Sequence, residues 1–479
     1  MARIRGGRKG AKRTRRARTR RVRVGRADPR LTPVAGVEAV RETVRVLGLT
    51  GALQGCIGAV KTRDRGHGAG ELLVGMASCQ LAGGDHLVSL DRRRADVVGQ
   101  RLEPVPTPAS STAYGIAKRF TPEHVAGIET AIGAVNQRVL SLVGRVRRSA
   151  LTKTVTIDGD TTDVEVYGPT KERSAHAYTG ARVLRPHIGF WAEAGVPLAA
   201  ELTGGTDDPR ATCVDLLDRA LAALPQDVQQ VRARWDAGYF AGELAHACLA
   251  RDVEFAIGVK RNTAVIRAGQ GVPEGAWTPA VGMTDTEVAV IDYRPKDWPT
   301  EGVKCIARRT AIPVDRIPTG RARKRRTIPT EQLTLALEGR LEHVYGYSFI
   351  LTNLDVSDAE KLAEVEWWYR HRTDIEALNK DAKLGAALRH LPSADHRVNT
   401  VWMWAALLAC AISAWMQEIT GIDYGNGRGR RTLPRLRREL ICVPAQLTRS
   451  GGTTYLRLPP GEQLLATVLP LLQQLPRPG

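Results

Sequence analysis

Several features are missing from this chain of 479 residues. None of its seven cysteines (Cys56, Cys79, Cys213, Cys248, Cys305, Cys410, Cys442) falls in a CxxC pair, and no Cys/His group has zinc spacing. That excludes a zinc ribbon or a disulfide scaffold and fits a reducing, cytoplasmic setting. The N-terminus carries charge without an apolar h-region, and its arginines share no apolar face, which argues against a secretory signal and a transit peptide. No apolar run reaches the roughly 20 residues that cross a bilayer. The nearest, VWMWAALLACAISAWM (401–416), reads as a buried core helix, so no membrane partner is expected; a membrane anchor is the alternative. Acid is scarce at the start of the chain, where residues 1–30 hold fourteen Lys and Arg against Asp28 alone.

The remaining composition is that of a folded protein. With 43% hydrophobic residues the chain can bury a sizeable core, and its length suggests roughly two to four domains. The net charge of +20 points to a polyanionic partner, because Lys and Arg attract phosphates and release their counterions. Most of that surplus lies in residues 1–30, which read as a disordered basic arm.

Residues 31–150 show apolar positions at helical spacing in GVEAVRETVRVLGL, GELLVGMASCQLAGG and PEHVAGIETAIGAVNQRVLSLVG, and read as a helical N-terminal, DNA-binding domain, with a structural helical cap as the alternative, since nothing in them names a helix-turn-helix. From 151 to 261 the pattern changes. TVTIDGDTTDVEVYG (154–168) alternates as a strand, RVLRPHIGFW and PLAAELTGG form a hairpin around Glu193-Ala194-Gly195, and DPRATCVDLLDRALAALP is a helix. Strand VQQVRARWDAG, helix FAGELAHACLARD and strand EFAIGVK follow. Three strands, helix, strand, helix, strand is the order of an RNase H-like sheet. The expected fold is thus α/β, an RNase H-like catalytic core in two parts (151–261 and 347–418) with a mostly helical N-terminal domain. Residues 262–346, rich in Pro and Gly and holding the basic loop RIPTGRARKRR (316–326), read as a β-rich insertion. Strand YSFILTNL leads through a Ser357/Glu360 capping box into a helix, and a basic interaction segment, 419–479, closes the chain.

That helix contains WWYRHRTDIEALNKDAK (367–383). At about 100° per residue, with Tyr369 at zero, Arg372 falls near 300°, Glu376 near 340° and Lys383 near 320°, on one stripe, while Asp374 and Asp381 face elsewhere. A carboxylate flanked by cations and a hydroxyl suits a metal ligand beside phosphates, provided other acids join it. Asp158 and Asp160 lie at the end of the first predicted strand, and Asp236 at the end of the fourth. Strands in this order are neighbours, so their acids would meet around a cation. For Asp236 the competing role is helix N-cap. Asp158 and Asp160 point to the same side of the strand, with Asp160 the first choice and Asp158 the second.

These residues resemble bacterial insertion-sequence transposases of the DDE type, whose third acid lies in a Y-(2)-R-(3)-E-(6)-K helix, matched by Tyr369, Arg372, Glu376 and Lys383. Asp160-Thr161-Thr162 and Asp236-Ala237-Gly238-Tyr239 are similar to the surroundings of the first two acids in that group. The resemblance covers about residues 151–418, and YGPTKERSAHAYTG (167–180) departs from it by lacking a Gln-Glu after the glycine. It implies Mg²⁺, with Mn²⁺ as a substitute, held by catalytic Asp160, Asp236 and Glu376. It also implies double-stranded DNA cut at terminal inverted repeats and joined to a target by a homodimer. Tyr369, Arg372 and Lys383 would then grip phosphates, with Lys260 and Arg261 adding to the grip. Trp277 and Trp298 offer faces for an extruded base, against core packing as the commoner role. The alternatives are an RNase H-like nuclease or resolvase without strand transfer, and a non-catalytic, domesticated DNA-binding protein.

Overall fold

The structure is a computed structural model that describes residues 22–63, 65–177, 179–319, 327–422, 429–461 and 463–478. The basic arm up to Arg21, residues 320–326 of the basic loop and residues 425–428 of the C-terminal basic stretch lie outside them.

The fold is mixed α/β, organised on an 11-stranded sheet. Its main strands are β1 (Val155–Thr161), β2 (Arg182–Trp191), β3 (Val196–Gly204), β4 (Val231–Trp235), β5 (Val253–Gly258), β6 (Thr286–Ile291), β7 (Lys304–Pro313) and β8 (His343–Thr352). They run in the order β3-β2-β1-β4-β5-β8-β7-β6, and the short strands Val164–Glu165, Ala175–His176 and Thr278–Pro279 complete the sheet. β1, β4 and β5 are parallel, and the other main pairings are antiparallel. β1 and β5 are largely buried, as parallel strands covered on both faces are. Parallel neighbours need crossover helices. These are α4 (Cys213–Ala222) ahead of β4 and α5 (Gly242–Ala250) ahead of β5.

Residues 262–346, expected as a β-rich insertion, supply β6 and β7 and the start of β8 to this same sheet. β7 pairs along its whole length with β8, from Lys304↔Thr352 to Pro313↔His343, so β8 begins at His343 and not at Tyr347. Trp277 and Trp298 do not offer stacking faces: they are 8% and 4% exposed. The Arg309 guanidinium lies 4.3 Å from the Trp277 ring, and Trp298 packs on Phe240 at 5.1 Å.

The helical region contributes α1 (Val37–Leu47), α2 (Ala69–Leu81) and α3 (Pro122–Leu142), and the third-acid region contributes α6 (Ala359–Arg370) and α7 (Thr373–Lys380). α8 (His396–Thr420) and α9 (Leu464–Gln474) follow. One buried cluster runs from Val34 to Leu472, joining the N-terminal helices to the sheet and to α8. α8 holds the 401–416 run and is, among the described residues, the one helix long and apolar enough to cross a membrane. It is buried between α2 and β3. Two of its three tryptophan N–H groups are satisfied inside the protein, Trp402 by Ala387 O at 3.1 Å and Trp415 by Asn136 Oδ1 at 2.9 Å, while that of Trp404 is buried without a partner. The two ends of the chain meet in a small sheet, where Leu31–Thr32 pairs with Ala445–Ser450 and that strand with Thr453–Arg457.

Two local expectations change. The N-cap of α6 is Asp358, whose carboxylate accepts from Lys361 N at 2.9 Å, so Ser357 does not form the box. WWYRHRTDIEALNKDAK is not one helix. α6 ends at Arg370, His371 and Arg372 leave helical geometry (ψ 37° and 25°), α7 starts at Thr373, and a widened turn of π type spans Asp381–Gly385. The single stripe is therefore broken twice, and Tyr369, Arg372, Glu376 and Lys383 occupy four different local settings.

Candidate active site

Because β1 and β4 are parallel with Gly159 opposite Trp235, Asp160 and Asp236 leave the sheet at one edge. Asp236 ends β4 and caps its own tight turn: its Oδ1 accepts from Gly238 N at 2.8 Å. It does not cap α5, whose N-cap is Ala241. Tyr369 reaches this edge from α6 and donates its hydroxyl to Trp235 O at 3.2 Å, so that group is engaged with backbone. Gly258 on β5 makes room for it, since a Cβ there would lie 2.6 Å from the Tyr369 hydroxyl.

Arg372, at the break between α6 and α7, turns inward. Its Nη2 is 4.0 Å from Asp160 Oδ1, and its buried Nε has no partner. Burial works against its charge, but Tyr369, Asp160 and Asp236 outweigh it and hold the guanidinium firmly protonated. Glu376 lies in the first turn of α7, exposed, where the helix dipole favours an acid. Lys383, in the widened turn, donates to Thr162 Oγ1 at 2.5 Å, and burial lowers its pKa. Lys260 and Arg261 are exposed on the segment that follows β5, on the edge from which Asp236 leaves β4.

Asp158 has a different setting. It is fully buried, and both of its oxygens accept from Arg234 on β4, at 2.7 and 2.8 Å. Sequence reasoning missed two residues here. Arg234 was legible only as one of two arginines that alternate with apolar residues along β4. Asn379, which donates to Asp160 Oδ2 at 2.9 Å, sits three residues beyond Glu376 on α7, the spacing that puts side chains on one helix face.

The Asp160 carboxyl is pushed up to about 6, chiefly by burial; Arg372 pulls it down, and Asp236 and Glu376 push it further up. Like charges crowded at one carboxylate are what a cation relieves. The donor set, carboxylate oxygens without sulfur or imidazole, is of the hard kind that Mg²⁺ and Mn²⁺ accept. Among the described residues no three His, Cys, Asp or Glu side chains form a finished cage.

The raised value has a consequence for stability. A carboxyl whose folded-state pKa lies above its ordinary value of 3.8 favours folding below that value, and the contribution is lost as pH rises through about 6. Asp160→Asn removes the burdened charge. Without metal it should melt at a higher temperature than the wild type near pH 8, with the gain shrinking near pH 4. Thermal melts in a chelator check this, and an equal midpoint at both pH values would count against it.

Carboxylates and cations at the exit of parallel strands place the chain among α/β proteins that work at a sheet edge. The chain belongs to the family described as Transposase DDE domain group 1, whose model it matches over residues 14–317 and 334–477. It is thus of the transposase class, a family of enzymes that cut and transfer DNA. No curated protein matches it in sequence. Among solved structures it is similar to the piggyBac transposase synaptic complex with hairpin DNA, a cryo-EM structure, with 9% identity and a TM-score of 0.40 over 84% of this chain and 78% of that one. At that level neither fold nor function transfers.

Proposed function

We propose that this chain is the transposase of a bacterial insertion sequence, cutting double-stranded DNA at the element's terminal inverted repeats and joining the ends to target DNA. The observation that carries the reading is the convergence of Asp160, Asp236 and Arg372 at one sheet edge, within electrostatic reach of Glu376, in a chain of the DDE domain family. The order of β1, β2, β3, α4, β4, α5 and β5 supports an RNase H-like core. Asp160, Asp236 and Glu376 would hold Mg²⁺ or Mn²⁺, which when bound supplies activation of an oxygen nucleophile and stabilisation of the leaving oxygen. The protein's own contribution is placement. Arg372 presents a planar fork to a phosphate and Lys383 a point charge, while Lys260 and Arg261 extend the cationic rim. Tyr369 holds the backbone ahead of Asp236. Two copies would act on paired ends.

The test is incubation with a duplex carrying the element's end, a supercoiled target and Mg²⁺. End-joined target is expected. Nicks alone would assign a nuclease, and metal-independent binding without cutting a DNA-binding protein. Arg372→Ala should slow end cleavage by about ten- to a hundredfold, the worth of a charged hydrogen bond. It should also move the acid limb of the pH–rate profile upward, because Arg372 holds Asp160 down. An unshifted profile would remove Arg372 from the site.

A further inference from the structure

Directly beneath the acids lies a buried ion pair that the proposed chemistry does not use. Arg234 is 3% exposed and gives Nε and Nη2 to Asp158. Its Nη1 donates to the main-chain oxygen of Trp368 at 2.6 Å, and its guanidinium lies 5.2 Å from the centroid of the Trp368 ring. All three guanidinium nitrogens are therefore engaged, two on β1 and one on α6.

Trp368 stands in the last turn of α6. In an uninterrupted helix its carbonyl would accept the N–H of Arg372. Here it accepts from Arg234, with His371 N at 3.2 Å, and the helix stops two residues on. A cation on the final carbonyls of a helix is favoured by their unmet hydrogen bonds and by the dipole. That stopping point is where Arg372 turns towards Asp160 and where α7 starts, with Glu376 in its first turn.

We propose that Arg234, with Asp158 as its fixed counter-ion, is the positioning residue of the third-acid segment. It ends α6 at a set place, and so decides where Arg372 and Glu376 stand against Asp160 and Asp236. Asp158 is thereby committed to Arg234 and is not a metal ligand. The expected effect on cleavage rests on the transposase reading above; the effect on the α6–α7 segment does not.

The planar fork is needed, because a lysine cannot span both Asp158 oxygens and the Trp368 carbonyl. Arg234→Lys keeps the buried charge balanced. The double variant Asp158→Leu/Arg234→Met removes the pair without orphaning either charge, an exchange that is often neutral for stability. Both are compared with wild type and Glu376→Ala, as full-length protein, by metal-free hydrogen exchange and by end-duplex cleavage over a range of Mg²⁺. Exchange across 369–383 should quicken by about tenfold while β1 and β4 keep their rates. Cleavage should fall by about a hundredfold, with half-saturation moved to higher Mg²⁺. Unchanged exchange at 369–383 overturns the proposal, and so does equal quickening in β1 and β4, which would make the pair a general core contact. Should the wild type itself not cut the duplex, the transposase reading fails and exchange alone decides the positioning role.

Discussion

Glu376→Ala is expected to abolish end cleavage, by about a thousandfold or more, without a measurable change in fold. The size follows from the several kcal/mol that a bound cation contributes to a phosphoryl-transfer transition state, which a missing carboxylate ligand forfeits. The intact fold follows from the setting of Glu376. It is exposed in the first turn of α7 and has no hydrogen-bond partner among the described contacts. Its loss therefore costs only the few tenths of a kcal/mol of an acid at a helix N-terminus, roughly. Circular dichroism, a thermal melt and single-turnover cleavage of an end duplex in Mg²⁺ make the comparison. Cleavage at the wild-type rate would remove Glu376 from the site and with it the acid triad.

Gly159→Ala should be the most damaging single methyl in the core. Gly159 lies between Asp158 and Asp160, opposite Trp235 on β4. A Cβ there would sit 1.7 Å from the Trp235 ring, and that ring is fully buried, with Tyr239 packed 4.9 Å away. Nothing can yield except the spacing of β1 and β4 themselves, the two strands that carry Asp160 and Asp236. Overpacking of this kind costs about 1–3 kcal/mol, and a shift of about 1 Å in the acids would lower cleavage by roughly a hundredfold. Gly51→Ala is the control, since a Cβ there meets nothing within 4 Å. A Gly159→Ala protein that melts and cuts like the wild type would show that β1 and β4 are far more compliant than their burial implies.

Much of this arrangement is legible in one dimension. Strand and helix periods differ, so β1, β2, β3, β4 and β5 and their crossover helices could be placed in order, together with an acid at the end of β1 and another at the end of β4. The 401–416 run reads as core because it is short for a bilayer, and α2 and β3 cover it. Other features leave no local trace. The stretch from Trp367 to Lys383 has helical composition throughout, so no residue in it marks the break at His371 and Arg372. The group that takes the Trp368 carbonyl is Arg234, 134 residues earlier in the chain. Asp158 and Asp160 share a strand face and look equivalent until Arg234 claims one of them. For Trp277 and Trp298 the sequence leaves stacking open beside the commoner core role, and only the contacts with Arg309 and Phe240 decide for packing.

By itself the sequence determined the alternation of strands and helices, the acids at two strand ends, and the Tyr369, Arg372, Glu376 and Lys383 spacing. All of these depend on residue type at short range, where period and propensity act. Only the tertiary structure decided which aspartate faces outward, where α6 stops, and that Arg372 and Asn379 close on Asp160. Those outcomes hang on hydrogen bonds and ion pairs between residues far apart in the chain, whose strength comes from burial, and burial exists only once the sheet has formed.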